Sequence, residues 1–449
     1  MDAKTCALAV GMVFYTASSA HAADYYVAPD GDDDAEGTMA NPWASIAHAD
    51  TIVAAGDVVH VLPGEYSGTF ETHASGNESA PIVFVSEETW GARLVAEGDG
   101  WIARGDWVNI VGFEYTGDAA VGMLAMGSHI RYLSNWVHHL NPACNDNGGA
   151  AIDAGNYDAT HVDMIGNVVH DIWADDTDGT PCNRVQGLYH AIPFGTIANN
   201  LAWHNSGWGI HTWHNPSDLV ITNNLVFDNG GGGIIVGAGD SPGDGYADNF
   251  LVANNIVMHN PIGISEFGAT GLGNRYVSNL LYENGNDVSL QNGLVDEDTI
   301  SADPGLVDFQ LDGSGDYRPA PGSPVLDAGT PEGAPPTDID GVARPQGEGI
   351  DIGPYELPVE VGTTGGDDTA STGNGGDASG DPADGSGGGG GDDAPGPTTG
   401  SEAPGDTSGS SSAGAQDDAG GGCGCASREP GGGSALMLFV AALLRRRRA

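Results

Sequence analysis

The chain has 449 residues with 62 acidic against 13 basic side chains, a formal charge of −49, and its only lysine is Lys4. Between residues 24 and 360 there are 49 acids and seven arginines, so the body carries about −42 by itself. Such a field excludes nucleic acid and anionic membrane surfaces as partners, repels a polyanion unless cations such as Ca²⁺ bridge the two, and leaves no body lysine to act as a base.

Residues 1–23 read as a secretory signal: Lys4, an apolar run from Ala7 to Tyr15, then Ala20-His21-Ala22 as a cleavage site. Export permits a disulfide. Cys6 leaves with the signal and Cys423 and Cys425 sit near the C-terminus, so Cys144 and Cys182 remain in the body, which favours one bridge between them.

From residue 135 to 284 one short phrase recurs six times, led by Asn135, Asn167, Asn200, Asn224, Asn255 and Asn279, at steps of 32, 33, 24, 31 and 24. A unit of this length cannot bury its own apolar side and must stack on its neighbours. The next position is always apolar (Trp136, Val168, Leu201, Leu225, Ile256, Leu280). The third holds large side chains (His138, His170, Trp203, Phe227, Met258, Tyr282), and both columns are expected to face inward, with His138 and His170 as satisfied core histidines. The fourth is polar (His139, Asp171, His204, Asp228, His259, Glu283) and reads as a mixed-charge ladder at an exposed corner. Asn205, Asn229, Asn260 and Asn284 follow, suited to a left-handed turn and to amide hydrogen bonds along the stack. A second strand follows each phrase, as in Gly187-Leu-Tyr-His and Gly209-Ile-His-Thr-Trp, and a third precedes the next Asn, as in Asp218-Leu-Val-Ile-Thr. Three short strands and three turns per unit predict an all-β, single-stranded right-handed parallel β-helix, one solenoid domain over residues 24–360.

The opening Tyr25-Tyr-Val-Ala-Pro-Asp-Gly-Asp, Asn41-Pro-Trp, Ala55-Gly-Asp-Val-Val and Leu62-Pro-Gly-Glu-Tyr resemble the first segment of secreted pectate-lyase-like β-helix proteins. That resemblance implies a short capping helix over residues 44–54. Asp303-Pro-Gly-Leu, Pro321-Gly-Ser-Pro-Val-Leu-Asp-Ala-Gly and Asp351-Ile-Gly-Pro-Tyr-Glu resemble the closing segment found after such helices on anchored bacterial proteins, giving a closing segment over 303–356.

The two longest steps carry insertions after His139 and after Asp171, which leave one corner side by side and are expected to form a wall clasped by Cys144 and Cys182. Asp175, Asp176 and Asp178 offer three carboxylates in four residues, a candidate Ca²⁺ loop without the full EF-hand pattern. Asp30, Asp32, Asp33 and Asp34 read as solvated turn acids. On the second strand Leu188, Ile210, Ile234 and Ile264 alternate inward, so Tyr189, His211, Ile235 and Ser265 point out, and Ala150-Ala-Ile-Asp153 puts Asp153 in the same outward column. Trp213 lies two residues beyond His211 and is placed to stack on a sugar ring, with His190 and His214 as further substrate contacts; Arg184 closes the second insertion.

This row suits β-elimination on a uronic-acid polysaccharide, with His211 and Tyr189 as base and acid and Arg184 or a loop Ca²⁺ neutralising the enolate. A glycoside hydrolase would use paired carboxylates, Asp153 with Asp175 or Asp176. A non-catalytic carbohydrate-binding, adhesive or structural surface module needs the stacked scaffold alone. No organic cofactor is expected, and the chain is expected to act as a monomer.

Residues 361–422 are Gly, Asp, Ser, Thr and Pro with almost no large apolar side chain, a self-repelling disordered linker. Residues 423–449 hold Cys423-Gly-Cys425, the apolar run Leu436–Leu444 and Arg445 to Arg448, an order that resembles the MYXO-CTERM sorting signal of myxobacteria. That resemblance implies removal of the tail by a sorting protease, Cys423 as the processing and lipid-attachment site, and delivery to the outer-membrane surface. A plain C-terminal membrane anchor is the alternative.

Overall fold

The structure, a computed structural model, describes residues 22–145, 147–239 and 245–358. Nearly all of the signal segment, the linker and the tail with Cys423 lie outside the described residues.

Among the described residues there is one α-helix, Ile46–Ile52, at the N-terminal end of the coils. Ser45 caps it by accepting from the His48 amide, and Asp33 accepts from the Ala44 and Ser45 amides and the Ser45 hydroxyl. Asp33 is thus a structural residue. Ile46 and Ala49 bury against the first coil.

From Asp24 to Glu297 the chain winds as parallel coils with three faces, and the segment after them carries an antiparallel pair, Leu306–Asp308 with Asp316–Pro319. The first face has eleven strands from Asp24–Val27 to Asp296–Glu297, running through Ile130–Leu133, Val162–Ile165 and Gly195–Ala198. The second face includes Trp136–Leu140, Val168–Ile172, Leu201–Trp203, Leu225–Phe227, Ile256–Met258 and Leu280–Tyr282; the third includes Val121–Ala125, Gly149–Ala154, Val185–His190, Trp208–Thr212, Gly232–Ala238 and Ile262–Gly268. Alignment on the Asn phrase gives the observed register: Trp136 pairs with Val168, Val168 with Leu201, Leu201 with Leu225, and so on to Leu280.

The leading Asn side chains are buried between the first and second faces and form a continuous ladder. The Asn224 carbonyl accepts from the Asn200 backbone and side-chain amides at 2.9 Å, while its own amide donates to Ile197 O and to Asn255 Oδ1, both at 2.9 Å. A second ladder of Asn205, Asn229, Asn260 and Asn284 repeats the pattern between the second and third faces. The left-handed residues are not these asparagines but the residues before them, His204, Asp228, His259 and Glu283, together with His139 and Asp171 at the same position of the earlier phrases, with φ from 49° to 55°. The corner is made one residue earlier than expected because the Asn side chain must turn into the coil to complete its bonds.

Val137, Val169, Ala202, Val226, Val257 and Leu281, the second residue after each leading Asn, fill the solenoid interior. The first and third residues point the opposite way, correcting the inward assignment. Leu201, Trp203, Leu225, Phe227, Ile256 and Met258 form a separate apolar layer on the outside of the second face, covered by Tyr317, Val325 and Ile352 of the closing segment. Period two puts those columns on one side; a chain segment distant in sequence, rather than the coil, buries them. The left-handed Asn199, Asn223 and Asn254 hold that segment by donating to Thr337 O, to Asp351 O and Gly353 O, and to Thr330 O. His138 and His170 are buried on the same outer face, beside the covered layer, and are not inside the coil.

Candidate functional site

The third face carries the candidate site. Leu188, Ile210, Ile234 and Ile264 face the interior, which turns their neighbours outward. Asp153 pairs in register with Tyr189, and Tyr189 with His211. The three therefore share one outward column on consecutive coils, each about 4.8 Å from the next. All three are part-buried. The Tyr189 and His211 rings meet edge to face at 5.4 Å.

The recess shapes their chemistry. Burial pushes the Asp153 carboxyl up to about 7, against the lowering effect of the Gly155 amide. Burial, then the nearby His214, holds His211 down to about 3, which favours the neutral imidazole near pH 7. Among the described residues, Asp153 Oδ1 and His211 Nδ1 are buried and have no hydrogen-bond partner. A buried polar atom without a partner is costly and marks a place where a ligand group can supply one.

Aromatic rings flank the column. Trp213 stacks with Phe267 at 5.8 Å, and its ring lies across the backbone of the next coils: a Cβ at Gly237 would stand 2.7 Å from it. His214 lies 4.8 Å from Tyr157 and 6.3 Å from Tyr189. Tyr157 and Phe267 are 61% and 62% exposed, and neither was singled out by sequence reasoning. Phe267 was within reach of the alignment, since it pairs with Gly237 in the column of Trp213; Tyr157 sits in a turn that no repeat predicts.

Three expected contributors are placed elsewhere. His190 faces the interior with no exposure, its Nε2 3.1 Å from Val162 O, and so cannot meet substrate; it follows Tyr189 by one residue, and alternation sends it inward. Arg184 is exposed but lies five residues upstream of Tyr189, about 16 Å along the strand, and is not brought together with the column. Asp175, Asp176 and Asp178 do not converge on one point: Asp175 accepts from Trp173 Nε1, Asp176 from Thr177, and Asp178 from the Thr180 amide and hydroxyl. Each serves its own exposed turn, so this loop does not fit a Ca²⁺ cage. The same loop precedes the strand Val185–His190, whereas Asp153 pairs with Tyr189 near that strand's end.

Cys144 and Cys182 are bonded, with Cα atoms 5.7 Å apart, tying the two inserted loops together. Beyond this clasp, at the corner between the second and third faces, a shallow groove of ≈ 490 Å³ is lined by Trp173, His204, Asp228, His259 and Pro261.

A family model described as "Pel9A-like, right handed beta helix region" matches residues 25–289. The chain belongs to the Pel9A-like right-handed β-helix family. Pectate lyase L of Dickeya dadantii is 27% identical over 226 residues, covering 46% of this chain and 51% of that protein, so the chain spans about half the length of this curated relative. Pectate lyase PEL9 of Emericella nidulans is 39% identical over 80 residues, 17% of this chain and 19% of that protein. The crystal structure of pectate lyase Pel9A superposes with a TM-score of 0.55 at 18% identity, covering 74% of this chain and 96% of the other, a likeness of fold.

Proposed function

We propose that this Pel9A-like chain cleaves a uronic-acid-containing polysaccharide by β-elimination at the Asp153–Tyr189–His211 column. The observation that carries the reading is an imidazole, a phenol and a carboxyl in register on consecutive coils, with Asp153 Oδ1 and His211 Nδ1 buried and without a hydrogen-bond partner. The names of the curated relatives, both pectate lyases, support the same reaction class.

His211, kept neutral by its recess, takes the proton from the carbon beside the sugar carboxyl. The electron pair released forms the new C=C bond as the glycosidic C–O bond breaks, and the Tyr189 hydroxyl protonates the departing oxygen. Asp153, protonated below about pH 7, donates a hydrogen bond to the substrate carboxylate and stabilises the enolate as its charge develops. Trp213, Phe267, Tyr157 and His214 hold the sugars on either side of the cleaved bond, and Arg184 serves a neighbouring sugar carboxylate further along the strand.

We also propose that the chain is exported and attached at the cell surface, on the N-terminal signal pattern and the Cys423–Arg448 order alone. Cell fractionation of Cys423→Ala checks it: release into the medium is expected, and unchanged retention at the surface refutes the attachment site.

Incubating the full chain with a panel of uronans and neutral glycans, with and without Ca²⁺, tests the reaction class. Unsaturated sugar ends support β-elimination. New reducing ends without unsaturation indicate hydrolysis, and glycan retention with no cleavage leaves a binding module.

A further inference from the structure

Away from that column, at the corner between the second and third faces, four histidines gather around Asp171. His170 Nδ1 lies 2.6 Å from Asp171 Oδ2, His204 Nδ1 2.5 Å from Oδ1, and His139 Nε2 3.7 Å from Oδ2. His138 links the group to a second carboxylate: its Nδ1 is 2.8 Å from His139 Nδ1 and its Nε2 3.3 Å from Glu114 Oε1.

With His139 Nε2 left for a metal, its Nδ1–H donates to His138 Nδ1 and the His138 Nε2–H donates to Glu114 Oε1. This is the outer hydrogen-bond relay that orients and strengthens a metal-ligating histidine.

We propose that this corner binds one divalent transition-metal ion of the Zn²⁺ class through His139 Nε2, His170 Nδ1 and the Asp171 carboxylate, with His204 at its edge. The three ligand atoms lie within 4.8 Å of one another, the one such grouping among the described residues. A tetrahedral ion with ligand bonds of about 2.0–2.2 Å needs them about 3.3 Å apart, so His139 Nε2 must close on Asp171 Oδ2 from 3.7 Å and His170 Nδ1 must draw back from it from 2.6 Å. Two imidazoles and one carboxylate select Zn²⁺, Ni²⁺ or Cu²⁺ over the oxygen-seeking Ca²⁺. His204, whose Nδ1 contacts Asp171, also lines the groove together with Trp173. His170 Nε2 now accepts from Trp136 Nε1 at 2.8 Å. Metal at Nδ1 displaces the proton held there, which moves to Nε2 or to solvent, and movement to Nε2 opens the Trp136 bond.

Calorimetric titration of the chelator-treated full chain with Zn²⁺ and with Ca²⁺ tests the site. The expected result is one Zn²⁺ per chain, with roughly tenfold or greater weakening in His139→Ala. His259→Ala, at the same corner of a later coil, should bind as the parent does, and a change in tryptophan fluorescence should accompany binding. Circular dichroism establishes that each variant is folded, and Asp171→Asn supplies a second ligand variant. Absence of Zn²⁺ uptake, equal uptake by both ligand variants and the parent, or displacement of Zn²⁺ by equimolar Ca²⁺ overturns the proposal.

Discussion

Replacing Asn224 by Ala removes a rung from the middle of the longer amide ladder. Asn224 is fully buried, and four bonds are lost: two accepted from Asn200 and two donated, to Ile197 O and Asn255 Oδ1. Some groups keep a partner. The Asn200 side chain still donates to Met164 O, and Asn255 Oδ1 still accepts from the Asn224 backbone amide. The Asn200 backbone N–H has no replacement acceptor, and the Ile197 carbonyl loses the Asn224 amide. One orphaned buried donor costs about 1–3 kcal/mol, and the weakened acceptor and vacated space add a comparable amount, so a loss of about 3–5 kcal/mol is expected. Asn224→Asp should cost at least as much, because a carboxylate would face Ile197 O and Asn255 Oδ1 with nothing to donate. Urea unfolding followed by circular dichroism reads the change, with exposed Glu36→Gln as a control expected within about 0.5 kcal/mol. A loss below about 1 kcal/mol for Asn224→Ala would refute the view that the amide column holds successive coils together.

Arg344→Ala should cost about 3–5 kcal/mol, since it leaves the fully buried Glu356 carboxylate without its 2.8 Å partner, and it should shift tryptophan fluorescence as the closing segment lifts from Trp203. Equal stability and an unchanged spectrum would show that the segment is held by other contacts. His190 is completely buried and held down to about 4 from an ordinary 6.5, so its contribution to stability is fully present above about pH 6.5 and is lost as pH falls toward 4. The parent should therefore lose about 3 kcal/mol more than His190→Gln between pH 7 and pH 4, read from urea midpoints; equal losses would contradict a buried neutral imidazole. If protonated Asp153 donates to the substrate, activity should decline as pH rises through about 7, and Asp153→Asn, which retains a donor, should remove that decline. A decline that persists in Asp153→Asn assigns it to another group.

Much of the scaffold is legible in the sequence because period-two alternation and the Asn phrase are local. Aligning six leading Asn residues gives the observed register and puts Asp153, Tyr189 and His211 in one column. The inside and outside of the second face are not legible in the same way. Both sides of that strand are apolar, and the side holding Trp203 and Phe227 is covered by residues such as Phe309 and Tyr317, 82 to 114 positions later. Nothing local distinguishes such a covered outer layer from a core. Site assignments failed where composition stood in for geometry. Asp175, Asp176 and Asp178 are close in sequence, yet each satisfies its own turn, whereas His139, His170 and Asp171 converge from two coils and offer no contiguous motif. His190 carried the correct signal in its alternation with Tyr189.

The most direct test of the catalytic reading compares parent and His211→Ala on whichever uronan the parent attacks, following the appearance of unsaturated ends and verifying the fold by circular dichroism. Loss of an acid–base residue should lower kcat/KM by about 10²–10⁴-fold while glycan retention by the Trp213 and Phe267 surface persists. Formation of unsaturated ends at the parental rate by folded His211→Ala would contradict the assignment of the column as the reacting centre.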